Sequence, residues 1–305
     1  MRLPAHGRYD FSPIPERPRY EWPGGKRLAL YVALNVEHYA FGQGLGHLLG
    51  AEGPPPDHRN YCWRDYGNRI GFWRLLELLD ELSLPACHLV NSSVYDHYPA
   101  IPEAIRARRD EVIGHGRTNS ERPGLLWEAD EARMIAEVNA TISRHEGRPP
   151  RGWMAPWMSQ SRVTPDLLKE AGYSFLMDWP CDDQPIWLRT RAGPLLSIPY
   201  PLEINDSPQV LVQHHSATEF AKMIVDQFEE MLRQSQRQPL VCAISLHTMI
   251  FGQPHRIGVL RQALSAIVGH REREAVWMTR PGAIADHVMA LRPGIVPGSE
   301  ATASG

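Results

Sequence analysis

The chain has 305 residues, of which 43% are hydrophobic and 22% are charged, a balance typical of a globular protein with a sizeable core. Its net charge of -3 provides no electrostatic basis for binding nucleic acid or an anionic membrane surface. No run approaches the roughly 18 apolar residues that span a membrane. The first residues contain no apolar signal-peptide region, so we expect a cytoplasmic protein.

The two ends of the chain differ in composition from its middle. Residues 1–26 are rich in proline and aromatic residues, which disfavours a helix and predicts an N-terminal arm that packs on the body or on a neighbouring subunit. Residues 292–305 are mostly proline, glycine, serine and alanine and predict a disordered tail. Residues 27–291 show neither a repeat nor a linker and predict a single domain.

In the middle, short apolar runs typical of buried parallel strands alternate with segments of helical periodicity. The helix predicted over residues 69–82 places Ile70, Trp73, Leu76 and Leu79 on its buried face. In chain order we predict strand 27–36, helix 69–82, strands 85–90 and 111–115, helix 128–145, strand 152–156, helix 164–173, strands 173–179 and 194–200, helix 216–234, strand 240–247, helix 256–268, strand 275–279 and helix 281–291.

About seven strand–helix alternations predict an α/β fold, either a parallel β/α barrel or a doubly wound sheet. Polar or pocket-forming residues follow several of the predicted strands, and in a barrel the carboxyl ends of the strands meet at one mouth. This pattern favours a distorted (β/α) barrel of about seven units. The residues at the strand ends are Asn35, Glu37, His115, Pro156, Trp157, Asp178 and His247.

Two short motifs contain residues that could hold a metal or a catalytic water. In NVEHY, Asn35 and Glu37 are two apart and point the same way along an extended strand. In GHGRTN, His115 lies between two glycines, and Asn119 stands where an H-x-x-x-H pair would have its second histidine. Zinc needs three or four ligands and Asn is a poor substitute for imidazole, so Glu37, His115 and Asn119 predict an incomplete zinc site. The alternative is an exposed charge beside a loop without chemistry.

The remaining candidates follow later strands. Trp157 ends a strand and could form the wall of a pocket or part of the core. His247 closes an apolar strand, where a histidine is either a general acid–base or a buried structural residue. Candidate substrate contacts, or else solvated loop residues, are Asp183 and Gln184 in the WPCDDQP stretch and His255 and Arg256 at the start of a helix.

Several of these motifs, in this order, resemble the polysaccharide deacetylase superfamily and, more narrowly, its allantoinase-like and cyclic-imide-hydrolase-like branch. The motifs extend from about residue 8 to about residue 291 and are NVE, GHGxxN, GWxxPxxSxSxxTxxLLxEAGY, DWxxDDQP, LSIPYxxEIND and SLHxxxxGQPHRI. The resemblance implies a distorted barrel of seven or so β/α units and a homo-oligomer, often a tetramer.

The departures from the deacetylase pattern concern the metal and the base. In the deacetylases of this superfamily, the first motif carries an aspartate base and an aspartate ligand, the second carries two histidine ligands, and a late histidine is the acid. By resemblance, the base position is Asn35, the ligand positions are Glu37, His115 and Asn119, and the acid is His247. The base and one ligand are replaced, as in a branch for which the resemblance implies that metal is dispensable.

The sequence therefore predicts a hydrolase of non-peptide C–N bonds that acts on a small cyclic amide, imide or ureide. Glu37 and His115 would orient the water, and His247 would protonate the leaving nitrogen. Asn35 and Asn119 would stabilise the oxyanion. No cofactor is certain, and zinc at the incomplete site stays open. The alternatives are a metal-dependent N-deacetylase of a polysaccharide or small acylated molecule, and a non-catalytic ligand-binding barrel.

Overall fold

The computed structural model describes residue 3 and residues 5–299, and strands alternate with helices through most of this part. Among these residues, no helix is long and apolar enough to cross a membrane. The strands are β1 (Leu28–Val36), β2 (Ala86–Val90), β3 (Glu111–Gly114), β4 (Gly152–Trp153), β5 (Phe175–Leu176), β6 (Ile186–Leu188), β7 (Leu195–Ser197), β8 (Leu240–His247) and β9 (Val276–Met278). The helices are α1 (His58–Tyr66), α2 (Phe72–Glu81), α3 (Val94–His97), α4 (Ala100–Arg108), α5 (Glu128–Glu146), α6 (Thr164–Glu170), α7 (Ala217–Gln234), α8 (Thr248–Phe251), α9 (Pro254–Val268) and α10 (Pro281–Met289).

The nine strands form one curled sheet in the order β6-β7-β5-β4-β3-β2-β1-β8, and β9 also pairs with β1. Every pairing is parallel except that of β6 with β7. The predicted distorted barrel is therefore confirmed as a half-barrel of mainly parallel strands. The sequence pattern missed β6, which directly follows the WPCDDQP stretch.

Strand β1 brings the ends of several strands together. All nine of its residues are buried, and its continuous apolar run is typical of a parallel strand covered on both faces. Its register pairs Asn35 with His247 of β8 and Val36 with Val90 of β2, while β3 lies beside β2. The carboxyl ends of β1, β2, β3 and β8 therefore share one mouth.

The helix predicted over residues 69–82 exposes two side chains that were expected in the core. Ile70 and Trp73 are 41% and 39% exposed. A β-carbon on Gly71 would collide with the carbonyl oxygen of Thr248, so only glycine allows this close approach of the two backbones. The glycine side of the helix therefore faces the body, and Ile70 and Trp73 are turned outward.

The described part of the N-terminal arm packs on the body of its own chain. Trp22 is buried and donates its indole N–H to the carbonyl oxygen of Leu240 at 3.1 Å. Arg17 forms a two-pronged ion pair with Asp182 at 2.6 and 2.7 Å, and both side chains are largely buried. Arg17 and Trp22 therefore pack on the body of the same chain, and a contact of the arm with a neighbouring subunit stays a prediction.

Residues 292–299 differ from the disordered tail expected for 292–305. Val296 is 2% exposed, and the backbone N–H of Trp187 donates to the Pro297 carbonyl oxygen at 2.9 Å. The expectation fails for residues 292–299 because one buried valine and one backbone hydrogen bond suffice to anchor them. The rest of the predicted tail lies outside the described residues.

Candidate active site

Three titratable side chains meet at the mouth formed by the carboxyl ends of β1, β3 and β8. Glu37 follows β1, His115 follows β3, and His247 is the last residue of β8. The Nε2 atoms of His115 and His247 lie 3.6 and 3.5 Å from Glu37 Oε1. Each of the three residues is less than 5% exposed. The strand-end pattern thus predicted three residues that the fold assembles into one buried cluster.

Glu37 is the negative charge at the centre of this cluster. Asn119 donates Nδ2–H to Glu37 Oε1 at 2.6 Å, and the Tyr39 hydroxyl donates to Oε2. Burial alone would raise the pKa of Glu37, but the charge of His247 and the close approach of the histidine rings hold that pKa well below its usual range. The carboxylate is therefore ionised and acts as a hydrogen-bond acceptor and a weak base.

His115 presents one unused nitrogen to Glu37. Its Nδ1 lies 2.6 Å from the carbonyl oxygen of Met154, and a carbonyl oxygen can only accept, so Nδ1 carries the proton. In the neutral ring Nε2 is then a lone-pair acceptor, and this atom is buried without a hydrogen-bond partner. A buried polar atom of this kind marks a position for a water molecule or a ligand atom.

His247 is held in place by Asp206, which belongs to the EIND stretch of the sequence. Asp206 Oδ1 lies 2.6 Å from His247 Nδ1, and the two carboxylate oxygens accept the backbone N–H of His247 at 2.8 and 3.0 Å. Burial opposes a charge on His247, but Glu37 and Asp206 outweigh it and raise the pKa of His247 to about 10. The ring is therefore an imidazolium at neutral pH and can act as an acid.

Asn35 lies at the same end of the sheet, but its amide is engaged elsewhere. Its Nδ2 atom donates to Ser245 Oγ at 3.0 Å and to the Leu246 carbonyl oxygen at 3.2 Å, and it lies 3.4 Å from the Tyr200 hydroxyl. The predicted role of Asn35 as an oxyanion donor does not fit this geometry, because its N–H groups are already bonded to protein. Asn35 instead fastens β1 to β8 beside the cluster.

Asn119 also has a different task from the predicted one. Asn91 donates to Asn119 Oδ1 at 3.2 Å, and Asn91 can act as this donor only if Asn119 turns its oxygen toward it. The Nδ2 of Asn119 therefore faces Glu37, to which it is bonded. Asn119 positions the Glu37 carboxylate, which leaves it poorly placed as an oxyanion donor.

This arrangement suits a metal ion poorly, although the deacetylase pattern implies one. A cation bound beside Glu37 would meet the N–H of Asn119 instead of a lone pair, and the protonated His247 has no lone pair on Nε2. Within residues 3 and 5–299, no group of three or more His, Cys, Asp or Glu side chains is placed to hold a metal. Glu37 and His115 alone form an incomplete donor set.

Trp157 and His47 cover the cluster. Their rings are stacked, with centroids 4.5 Å apart and planes 24° apart. His47 Nδ1 lies 2.7 Å from the Tyr39 hydroxyl and 3.7 Å from Glu37 Oε2, and the His47 ring centroid lies 5.3 Å from that of His247. The structure therefore places Trp157 in the wall of the site, in line with the prediction, and adds His47.

Sequence reasoning missed Tyr39 and His47, and it did not pair Asp206 with His247. Tyr39 is two residues after Glu37, a spacing that keeps side chains on one side of an extended chain. His47 lies in the glycine-rich stretch GQGLGHLLG, and irregular loops are where binding residues concentrate. Asp206 lies in the EIND motif, but no local pattern pairs it with His247, which is 41 residues further along the chain.

Asp183 and Gln184 lie at the far end of β8 from His247. The backbone N–H of Val241, the second residue of β8, donates to the Asp183 carbonyl oxygen at 2.9 Å. Gln184 donates to the carbonyl oxygen of Pro239 at 2.7 Å. Six strand residues separate this end from the mouth by about 20 Å. The prediction that Asp183 and Gln184 contact substrate at this cluster does not hold.

His255 and Arg256 lie in the first turn of α9, as predicted, but outside the cluster. His255 is exposed. Arg256 is half-buried and donates to the carbonyl oxygen of Ile250 at 3.2 Å. Burial lowers the pKa of Arg256, and the negative charge of Asp206 opposes this effect. Arg256 therefore interacts with the site through the charge of Asp206. Its role as a substrate contact stays a prediction.

Comparison with known proteins follows the same lines as the geometry. No family model matches the chain. A Schizosaccharomyces pombe protein named as a polysaccharide deacetylase is 25% identical over 289 residues, which cover 88% of each chain. A solved PuuE allantoinase has a TM-score of 0.79 at 25% identity, covering 92% of this chain and 95% of that one. A Pseudomonas aeruginosa PAO1 structure described as a polysaccharide deacetylase has a TM-score of 0.78 at 26% identity, covering 90% and 94%. Over most of its length the chain is similar in sequence and fold to proteins described as polysaccharide deacetylases, and an allantoinase is among its structural neighbours.

Proposed function

We propose that this protein hydrolyses a non-peptide C–N bond in a small cyclic amide, imide or ureide. The coarser statement, a hydrolase of C–N bonds other than peptide bonds, follows from the deacetylases and the allantoinase to which the chain is similar. The ring substrate is the finer step. It is supported by the chemistry of the buried cluster and by the way the cluster is covered.

The observation that carries the proposal is the unpartnered Nε2 atom of His115. It is a buried lone-pair acceptor 3.6 Å from Glu37 Oε1. A water between these two acceptors would donate one hydrogen to each and direct a lone pair at a substrate carbonyl. His115 would take the proton, because the pKa of Glu37 is held too low for it to be an effective base. Such general-base catalysis contributes about 10²–10⁴-fold.

His247 is the proposed acid. After water has added to the ring carbonyl, the C–N bond breaks and the leaving nitrogen needs a proton. The imidazolium of His247 lies between Glu37 and Asp206 and supplies this proton from Nε2. Before the bond breaks, the same positive charge lies beside the oxyanion and stabilises it. His247 thus takes over the role that the sequence had given to Asn35 and Asn119.

Burial of the cluster favours a small substrate over a polymer. Glu37, His115 and His247 are each less than 5% exposed, and the rings of His47 and Trp157 lie over them. A polysaccharide would need an open groove, since the sugars on both sides of the reacting group must extend into solvent. A small planar ring can be enclosed on all sides.

The test measures ring opening of succinimide, hydantoin and allantoin, and deacetylation of a chito-oligosaccharide, by chelator-treated protein before and after zinc is resupplied. We expect ring opening that survives the chelator and falls by about 10²-fold or more in His115→Gln. The matched control is His58→Gln, since His58 is exposed at the start of α1.

Two outcomes would contradict the proposal. Deacetylation that returns only with zinc would favour the metal-dependent deacetylase, and ligand binding without turnover would favour the non-catalytic barrel. The cytoplasmic location and the homo-oligomeric state stay predictions. Light scattering during size-exclusion chromatography would test the tetramer.

A further inference from the structure

The imidazole of His47 lies in the space that a substrate has to enter. We propose that this side chain is a placeholder in a ring-binding subsite, and that a planar five-membered nitrogen heterocycle, an imide or a hydantoin, replaces it against Trp157. This inference rests on the proposed function and specifies the ring size for the same site.

The contacts of His47 are those that such a ring would need. One face of the imidazole stacks on Trp157 at 4.5 Å. At its edge, Nδ1 lies 2.7 Å from the Tyr39 hydroxyl, and Nε2 lies 2.8 Å from the Ser207 hydroxyl. A five-membered ring is thus held by one flat surface, by the Tyr39 oxygen, which accepts because its O–H is donated to Glu37, and by the Ser207 hydroxyl, which can donate or accept. The same pattern fits an N–H and a carbonyl oxygen of a cyclic imide.

The position of the ring relative to the cluster supports the exchange. In a reactive complex, the attacked carbon must lie about 3–3.5 Å from the catalytic water, and therefore next to Glu37 and His115. The group that covers Glu37 on this side is His47, whose Nδ1 is 3.7 Å from Glu37 Oε2, with the His247 ring 5.3 Å away. Two rings cannot occupy this space together, so His47 has to leave before the substrate binds.

The loop that carries His47 lies outside the sheet. It leaves β1 after Glu37 and returns at α1, and two of its glycines, Gly42 and Gly44, have φ values of 68° and 69°. Its carbonyl at His47 accepts from Arg64 at 2.8 Å, and Leu45 N–H donates to the Ser120 carbonyl oxygen at 2.9 Å. Both partners lie outside the sheet, Arg64 in α1 and Ser120 in the segment after β3. The loop can therefore open without disturbing the sheet.

The test removes the imidazole and asks what fills its position. In His47→Ala, free imidazole is expected to bind in calorimetry at least about tenfold more tightly than in wild type, because a competing ring no longer occupies the subsite. The KM for succinimide is expected to fall by a similar factor while kcat changes little. His58→Ala, an exposed histidine eleven positions further along, should leave both quantities at the wild-type value.

A double variant shows whether the imidazole binds in the proposed place. Adding Trp157→Ala to His47→Ala should abolish the gain in imidazole binding, and thermal unfolding of each variant checks that it is folded. A folded His47→Ala protein with lower kcat, unchanged KM and no affinity for imidazole would refute the proposal that His47 is a placeholder. It would indicate that His47 takes part in catalysis. If His47→Ala binds imidazole but the wild-type protein opens no ring substrate, the ring-binding subsite would be supported and the proposed function would be refuted.

Discussion

Asp206→Asn tests whether His247 is an acid whose proton is held by two carboxylates. The change keeps the shape of the side chain and removes the negative charge that lies 2.6 Å from His247 Nδ1. Since the charged Asp206 raises the pKa of His247, its removal must lower that pKa. The acid form is then lost at a lower pH.

The size of the effect follows from the distance. An opposite charge in direct contact shifts a pKa by about 1–3 units, each equivalent to about 1.4 kcal/mol. In wild type, activity that depends on the imidazolium is present below the pKa of about 10 and declines as pH rises through it. In Asp206→Asn, the midpoint of this decline should move down by about 1–3 units.

The assay is kcat/KM for ring opening from pH 5.5 to 10.5, which reports the titration of the free enzyme. Asp183→Asn is the matched control, because it makes the same chemical change at the far end of β8 and should leave the profile unchanged. An alkaline decline with the same midpoint in Asp206→Asn and wild type would refute the assignment of His247 as the acid. A thermal unfolding curve for each variant separates this effect from loss of the fold.

The other predictions concern the replaced motif positions and the far end of the sheet. Asn119→His should create the H-x-x-x-H pair and bind one zinc ion in calorimetry, whereas stoichiometric zinc in wild type as well would show that the amide does not exclude the ion. Asn35→Asp should lower the free energy of unfolding by about 1–3 kcal/mol, measured in urea, because a carboxylate would face the Leu246 carbonyl oxygen. A free energy of unfolding equal to that of wild type would mean that the hydrogen bonds of Asn35 do not stabilise the pairing of β1 with β8. Gln184→Ala should leave kcat and KM for the ring substrate unchanged, and a rise in KM would place substrate near the other end of β8.

The fold was predictable where single segments determine their own burial. The apolar run of β1 and the polar residues that follow it are enough to indicate a buried parallel strand with functional side chains at its carboxyl end. The face of α2 could not be predicted this way. Its orientation depends on the contact of Gly71 with the backbone of Thr248, which is 177 positions away in the sequence. Hydrophobic periodicity gives glycine no preference for the buried or the exposed face, so it could not predict this contact. Strand β6 was not predicted from the sequence, although β7 and the equally short β9 were.

The site was predictable where side chains follow strands. Glu37 and His115 follow β1 and β3, and His247 ends β8. These strands lie within four consecutive parallel strands of the sheet, which alone brings the three residues together. His47 and Asp206 reach the same place from irregular segments, whose path no periodicity specifies. Asp183 was assigned to the site because it follows a strand-like segment too. Asp183 lies beside the start of β8. Because β8 runs from there toward His247, Asp183 is at the end of the strand opposite the catalytic cluster.

The exchange of histidine for asparagine at position 119 is best understood together with Asn91. An amide at 119 alone could turn either its oxygen or its nitrogen toward Glu37, and with the oxygen inward it could still assist a cation. Asn91 removes this freedom, because its Nδ2 donates to Asn119 Oδ1 at 3.2 Å and also to the carbonyl oxygen of His115. The N–H that reaches Glu37 therefore occupies the direction from which a metal would approach. Two neutral side chains thus hold in place the carboxylate that an ion would otherwise have anchored, and they leave His115 Nε2 free for water.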